Sequence, residues 1–162
     1  MVILLMGVTG SGKTTVGQVL ADSLHWQFAD ADDFHPCSNV AKMRAGVPLD
    51  DADRAPWLTA LRTQIDKWLH DGTNAVLACS ALKQAYREQL VAGADVRVVY
   101  LRGSRELIAA RLKERHRHYM DPNLLASQFA TLEEPRDAVA VDVNASVTDV
   151  VSRIRTALGL SL

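Results

Sequence analysis

Residues Gly7 to Thr14, GVTGSGKT, follow the spacing G-x-x-x-x-G-K-S/T, which suits a loop that grips phosphate. Gly7, Gly10 and Gly12 leave room for successive main-chain N–H groups, those of Val8, Thr9 and Ser11 among them, to curl around an anion. Lys13 is then placed to reach the β- and γ-phosphates of a nucleotide, and the hydroxyl of Thr14 to hold Mg²⁺, with Thr15 next in the same turn. A second group lies in FADADDFHP (28–36), where Asp30 and Asp32 are two residues apart and face the same way if the segment is extended. One carboxylate could orient a metal-bound water while the other accepts a proton from an acceptor hydroxyl. LACSA, at the end of a later strand, carries no acidic residue for the metal, so Asp30 is favoured by elimination. A third group, RLKERHRHYM (111–120), gathers Arg111, Lys113, Arg115 and Arg117 with two histidines. Arg111 and Arg115 share a helix face and could close over a transferring phosphoryl group.

These groups need a scaffold, and the apolar pattern supplies one. Continuous apolar runs at 2–8, 74–79, 96–101 and 138–143, with a shorter one at 26–29, predict strands covered on both faces. Helical stripes separate them: Val16, Val19, Leu20 and Leu24 form one, and Leu58, Leu61, Ile65, Trp68 and Leu69 another, opened by Asp53 as N-cap with Pro56 in the first turn. Further helices are expected at 38–45, closed by Gly46, and near 82–92, 104–115, 122–132 and 146–158. Strands alternating with helices imply a three-layer α/β domain with a parallel sheet. The loop 7–14 would leave the first strand and enter the first helix, the context in which its spacing denotes a nucleotide phosphate site.

The 162 residues suit a single domain, 1–162, with an acceptor region at about 30–60 and a lid at about 111–132. A formal net charge of −1 argues against a nucleic-acid surface. Arg outnumbers Lys thirteen to five, a bias suited to bidentate contacts with phosphate or carboxylate. Cys37 and Cys79 read as buried reduced thiols. MVILLMG is too short for a signal-peptide core and no run is long enough to span a membrane, so a cytoplasmic protein is expected. A regulatory GTPase is disfavoured, because no Asn is followed by Lys and no Asp has Gly three positions on. What remains is a small-molecule kinase.

MGVTGSGKTTVG, ADADDFHP, NVAKMRAGVPLDDADRAPWL, CSALKQAYREQL and LLASQFATLEEP together resemble the gluconokinases of the P-loop type over residues 3 to 143. The resemblance implies ATP-dependent phosphorylation of D-gluconate at the 6-hydroxyl, Mg²⁺, strand order 2-3-1-4-5 as in shikimate and nucleoside-monophosphate kinases, and commonly a homodimer. A related kinase for another small hydroxylated acid is the alternative. Within that frame Asp32 matches in position the acceptor-binding Asp of shikimate kinases and becomes the base, with Lys13, Arg111 and Arg115 beside it in the transfer. Arg54, Lys42 and Arg87 are candidates for the gluconate carboxylate, and His35 and Ser80 for its hydroxyls. Arg54 could instead pair with the neighbouring acidic run, and Arg87 could lie on the surface. Adenine is expected between Arg111 or Arg115 and the loop 142–146, which includes Asn144. Gln128 and Glu133 would brace the lid helix. Family members commonly have Gly where Arg117 precedes His118-Tyr119.

Overall fold

The computed structural model describes residues 1–115 and 122–160. Their order is β1 (Val2–Met6), α1 (Lys13–Leu24), β2 (Gln27–Asp30), a 3₁₀ turn (Ala31–Phe34), α2 (Cys37–Arg44), α3 (Asp51–His70), β3 (Ala75–Ala78), α4 (Gln84–Val91), β4 (Val96–Arg102), α5 (Arg105–Arg115), α6 (Pro122–Thr131), β5 (Val139–Asp142) and α7 (Val147–Ala157). The strands form one parallel sheet in the order β2-β3-β1-β4-β5, as the resemblance implies. β1 sits at its centre because all five of its side chains are apolar and buried. Alternation divides them: Val2, Leu4 and Met6 meet Trp57, Leu58, Leu61, Ile65 and Trp68 of α3, while Ile3 and Leu5 meet Val16 and Leu20 of α1 and Val150, Val151 and Ile154 of α7. Each fully buried side chain of Leu or Ile size contributes about 1.5–3 kcal/mol, so these two faces hold the layers together.

A third apolar nucleus lies above the sheet, where Val8 of the glycine loop and Leu82 meet Ile108 and Leu112 of α5 and Leu125 of α6. Gly10 permits this approach. Its φ is +80°, and a Cβ there would lie 2.6 Å from Leu112 Cδ2. The helices expected to form the lid are thereby seated on the phosphate loop. Among the described residues no helix is long and apolar enough to cross a membrane.

Several expectations are corrected. β1 ends at Met6, because Gly7 and Val8 already belong to the turn. α3 begins three residues earlier than expected: Asp50 is its N-cap and accepts from Asp53 N at 2.8 Å, while the Asp53 carboxylate accepts from Asp50 N at 3.0 Å. Pro56 therefore falls in the second turn, where its missing N–H forgoes one helical bond. Val19 is exposed, and Gly17 takes its place on the buried stripe of α1. Cys79 is buried as expected, but Cys37 is exposed at the first turn of α2. Arg117, His118 and Tyr119 lie outside the described residues.

Candidate active site

Gly12, with φ of +97°, caps the N-terminus of α1, so the loop 7–14 delivers main-chain donors and the positive end of the helix to one place. Lys13 Nζ donates to Gly7 O and Val8 O, both at 2.9 Å, which folds the ammonium back over the loop. Burial lowers its pKa, opposed by the nearby charges including Asp32 and Asp30. Ser11 is buried with its hydroxyl unpartnered among the described residues, and a Cβ on Gly7 would lie 2.6 Å from that oxygen. Gly7 is thus needed for the close packing of the loop on Ser11 and β4, while the α1 N-terminus with the Lys13 ammonium folded over the loop fits a bound phosphate chain.

Thr14 Oγ1 donates to Asp30 Oδ2 at 2.9 Å, joining the hydroxyl and the carboxylate expected on the metal side. Among the described residues no cluster of three or more His, Cys, Asp or Glu could hold a metal unaided. A hydroxyl and one carboxylate suit Mg²⁺, which takes most of its remaining ligands from phosphates and water.

Asp30 and Asp32 come together by a different route from the one expected. Asp30 ends β2, and its Oδ1 accepts from Asp32 N at 2.9 Å, capping the 3₁₀ turn rather than continuing an extended segment. Partial burial, and then the Asp30 charge, raise the pKa of Asp32. The ring of His35 is stacked on Trp57, with centroids 4.5 Å apart and planes 9° from parallel. Trp57 Nε1 donates to Ala31 O at 2.7 Å, so one indole fixes both the start of the turn and the imidazole beyond it. Burial lowers the pKa of His35; Arg54 adds to this and Asp32 opposes it.

The three cations named for the acceptor carboxylate separate clearly. Lys42 is bound to both oxygens of Asp53, at 2.8 and 2.9 Å, so it is Lys42 and not Arg54 that forms the local ion pair. Arg87 is 3% exposed. Its guanidinium donates to Ala81 O at 2.7 Å, Leu82 O at 3.0 Å, Gln84 Oε1 at 2.9 Å and Glu133 O at 2.6 Å. This corrects its assignment to substrate: Arg87 ties the turn after β3 to the end of the α6 segment. Arg54 remains, with Nη1 3.4 Å from Tyr86 Oη and its guanidinium 5.8 Å from the Tyr86 ring centre. Tyr86 in turn donates to Asp51, which Lys83 also approaches at 3.3 Å. Ser80 is half-buried between β3 and Ala81, whose φ of +44° is unusual for a residue with a side chain. Neighbouring Cys79 has its thiol pushed up to about 12 by burial and stays neutral.

On the other side of the loop, Arg111 and Arg115 line a cleft of about 400 Å³ with Gly10, Gly12, Thr15 and the segment Val143, Ala145 and Ser146. Arg115 Nη2 donates to Thr15 Oγ1 at 3.0 Å. Asn144 is exposed and is not among the lining residues; its N–H is turned back onto Asp142 Oδ1 at 2.8 Å. α6 is also tied to the loop by Gln128, whose Oε1 accepts from Thr9 N at 3.2 Å, while Glu133 Oε1 accepts from Gln84 N at 3.2 Å. A larger groove of about 870 Å³, between α4 and residues 133–138, lies at the opposite edge of the sheet, away from the glycine loop. Trp57, Asn39 and Tyr86 are the residues to which sequence reasoning gave no role. Asn39, one helical turn after His35, was the one whose spacing offered a signal.

Comparison with known proteins agrees with this arrangement. A family model described as an AAA domain matches residues 2–153. A probable gluconokinase of Xenopus tropicalis is 44% identical over 173 residues, covering 95% of this chain and 91% of the relative. The gluconokinase of Gluconobacter oxydans is 48% identical over 137 residues, covering 83% of this chain and 76% of its own. The crystal structure of a gluconokinase from Sinorhizobium meliloti superposes with a TM-score of 0.87 at 39% identity, covering 97% of this chain and 90% of that one. By these matches over nearly its whole length, the chain belongs to the gluconokinase family of P-loop kinases.

Proposed function

We propose that this protein transfers the γ-phosphoryl group of ATP to the 6-hydroxyl of D-gluconate, yielding 6-phospho-D-gluconate and ADP. The observation that carries the reading is the meeting of two half-sites in a member of this family. The Lys13 loop lies on one side, and Asp32, His35 and Arg54 on the other. Residues 30–60 form the acceptor region and 111–132 the lid.

The chain's own groups divide the work. The loop amides and Lys13 bind the β- and γ-phosphates and meet the charge that spreads over the transferring group. Asp32 accepts a hydrogen bond from the 6-hydroxyl and takes its proton as the new O–P bond forms and the bond from phosphorus to the departing ADP oxygen breaks. A loose transition state asks more of Asp32 as an aligner than as a base. Arg54 attracts the gluconate carboxylate, and His35 and Ser80 bond its hydroxyls. Arg111 and Arg115 hold the nucleotide and, with the lid, exclude water. Thr14 and Asp30 would hold Mg²⁺, which neutralises phosphate charge when bound. The family resemblance supports a cytoplasmic homodimer.

A coupled assay of ADP release tests the reading directly. Turnover is expected with gluconate, and little with shikimate, nucleoside monophosphates or other sugar acids. Turnover confined to another hydroxylated acid would move the chain to the alternative substrate class. ATP bound without ADP release on any of them would make it a binding module.

A further inference from the structure

His35 and Asn39 form a contact whose hydrogens can be placed by elimination. Asn39 is 2% exposed, and its Nδ2 lies 2.8 Å from Asp53 O and 3.2 Å from His35 Nδ1. A carbonyl oxygen only accepts, so it is the amide nitrogen of Asn39 that faces Asp53. That nitrogen carries two hydrogens and accepts nothing, so its second contact is also a donation. His35 Nδ1 is therefore the acceptor, and the ring proton sits on Nε2. Protonating Nδ1 would set N–H against N–H in a part-buried contact. The Trp57 stack holds the plane of the ring, and Nε2 has no protein partner among the described residues.

The geometry points to Asn39 as a positioning residue: it locks His35 as the neutral Nε2–H tautomer, so that His35 meets the acceptor molecule as a hydrogen-bond donor to one of its oxygens and not as a proton acceptor. The lock stands on the protein's own contacts; its use on a substrate oxygen rests on reading this site as the gluconate pocket. The charged groups that act on the ring are Asp32 of the 3₁₀ turn and Arg54 of α3. From α2 and α3 it otherwise meets the uncharged Asn39 and Trp57. Asp53 presents its carbonyl to Asn39 while Lys42 holds its carboxylate. Burial and Arg54 favour the neutral ring against Asp32. Two neighbouring groups thus take opposite duties, Asp32 accepting a proton and His35 donating a hydrogen bond.

Nitrogen NMR of the ¹⁵N-histidine-labelled protein without ligand tests the lock, with His35→Gln identifying the signal among five histidines. The expected spectrum has a protonated Nε2 and a bare Nδ1, persisting below the ordinary histidine pKa of about 6.5. A proton on Nδ1, or a charged ring at neutral pH, would overturn the proposal. In Asn39→Asp the carboxylate only accepts, so the proton should move to Nδ1 and a new titration should enter the pH profile of kcat/KM for gluconate. A folded Asn39→Asp with unchanged tautomer and profile would also overturn it. Should that variant fail to fold, His35→Gln, which keeps an N–H near Nε2, should hold the gluconate KM within about threefold, while His35→Leu raises it roughly tenfold, the worth of one neutral hydrogen bond. Equal losses in both would remove the donor role. If gluconate itself is not turned over, the substrate reading fails, while the nitrogen spectrum still decides the lock.

Discussion

The Lys13 ammonium rests on Gly7 O and Val8 O, which leaves one of its three N–H donors for a phosphate. Lys13 belongs to none of the apolar clusters, so Lys13→Ala should lower kcat by about 10²–10³-fold, the scale of losing one charge-stabilising donor, with little change in melting temperature. Near-normal kcat would show that the charge is not aimed at the reacting group. Asp32 is held by Asp30 through its main-chain N–H, leaving the side chain for the acceptor. Asp32→Asn should cost about 10²-fold or more in kcat while the KM for ATP stays close to normal. A loss confined to ATP affinity would place Asp32 on the nucleotide side.

At the scale of elements, the turn after β3 shows why some of the site was legible and some was not. The glycine loop could be read from spacing alone, since strand, glycines, Lys13 and helix are consecutive in the chain. Arg87 could not. Its partners Ala81, Leu82, Gln84 and Glu133 include a residue forty-six positions away, and nothing local distinguishes a guanidinium that binds substrate from one that binds carbonyls. The stack of His35 on Trp57 was hidden for the same reason, since it joins α3 to the 3₁₀ turn across a gap in sequence. Asp53 misled as an N-cap because Asp50 three residues before it is an equally good one, and the capping box uses both. Arg87→Met should destabilise the protein by on the order of 3 kcal/mol, because buried carbonyls lose their donor. Thermal unfolding would measure this, and an unchanged melting temperature with a raised gluconate KM would return Arg87 to the substrate.

For the whole molecule, the helical arm α2–α3 is joined to itself by the part-buried Lys42–Asp53 pair and to α4 by the exposed Lys83–Asp51 pair, which makes its attachment sensitive to pH. The Asp51 carboxylate is held below its usual pKa by hydrogen bonds from Tyr86 and Lys83, and that of Asp53 by Lys42 and then the Asp50 main chain. Folded values below unfolded ones give stability that is complete above the ordinary Asp range and lost as pH falls through the folded pKa. Lys42, raised by the same pair, has the reverse dependence and loses its share as pH rises through its folded pKa. The melting-temperature gap between wild type and Asp53→Asn should therefore be widest near neutrality and close as acid is added. A gap independent of pH would show that the pair contributes nothing to holding the arm.

Asp30 joins the two half-sites through the two oxygens of one carboxylate, Oδ2 toward Thr14 and Oδ1 toward the amide of Asp32. One carboxylate thus contacts both the Thr14 hydroxyl and the Asp32 amide, so a change at either would be felt at the other. Replacement can dissect the two duties, since Asn keeps an oxygen for the Asp32 amide and loses the anion, whereas Ala loses both. Asp30→Asn should impair the response to Mg²⁺ while sparing gluconate KM, and Asp30→Ala should degrade both; matching defects in the two variants would mean that the beam carries no load on the sugar-acid side.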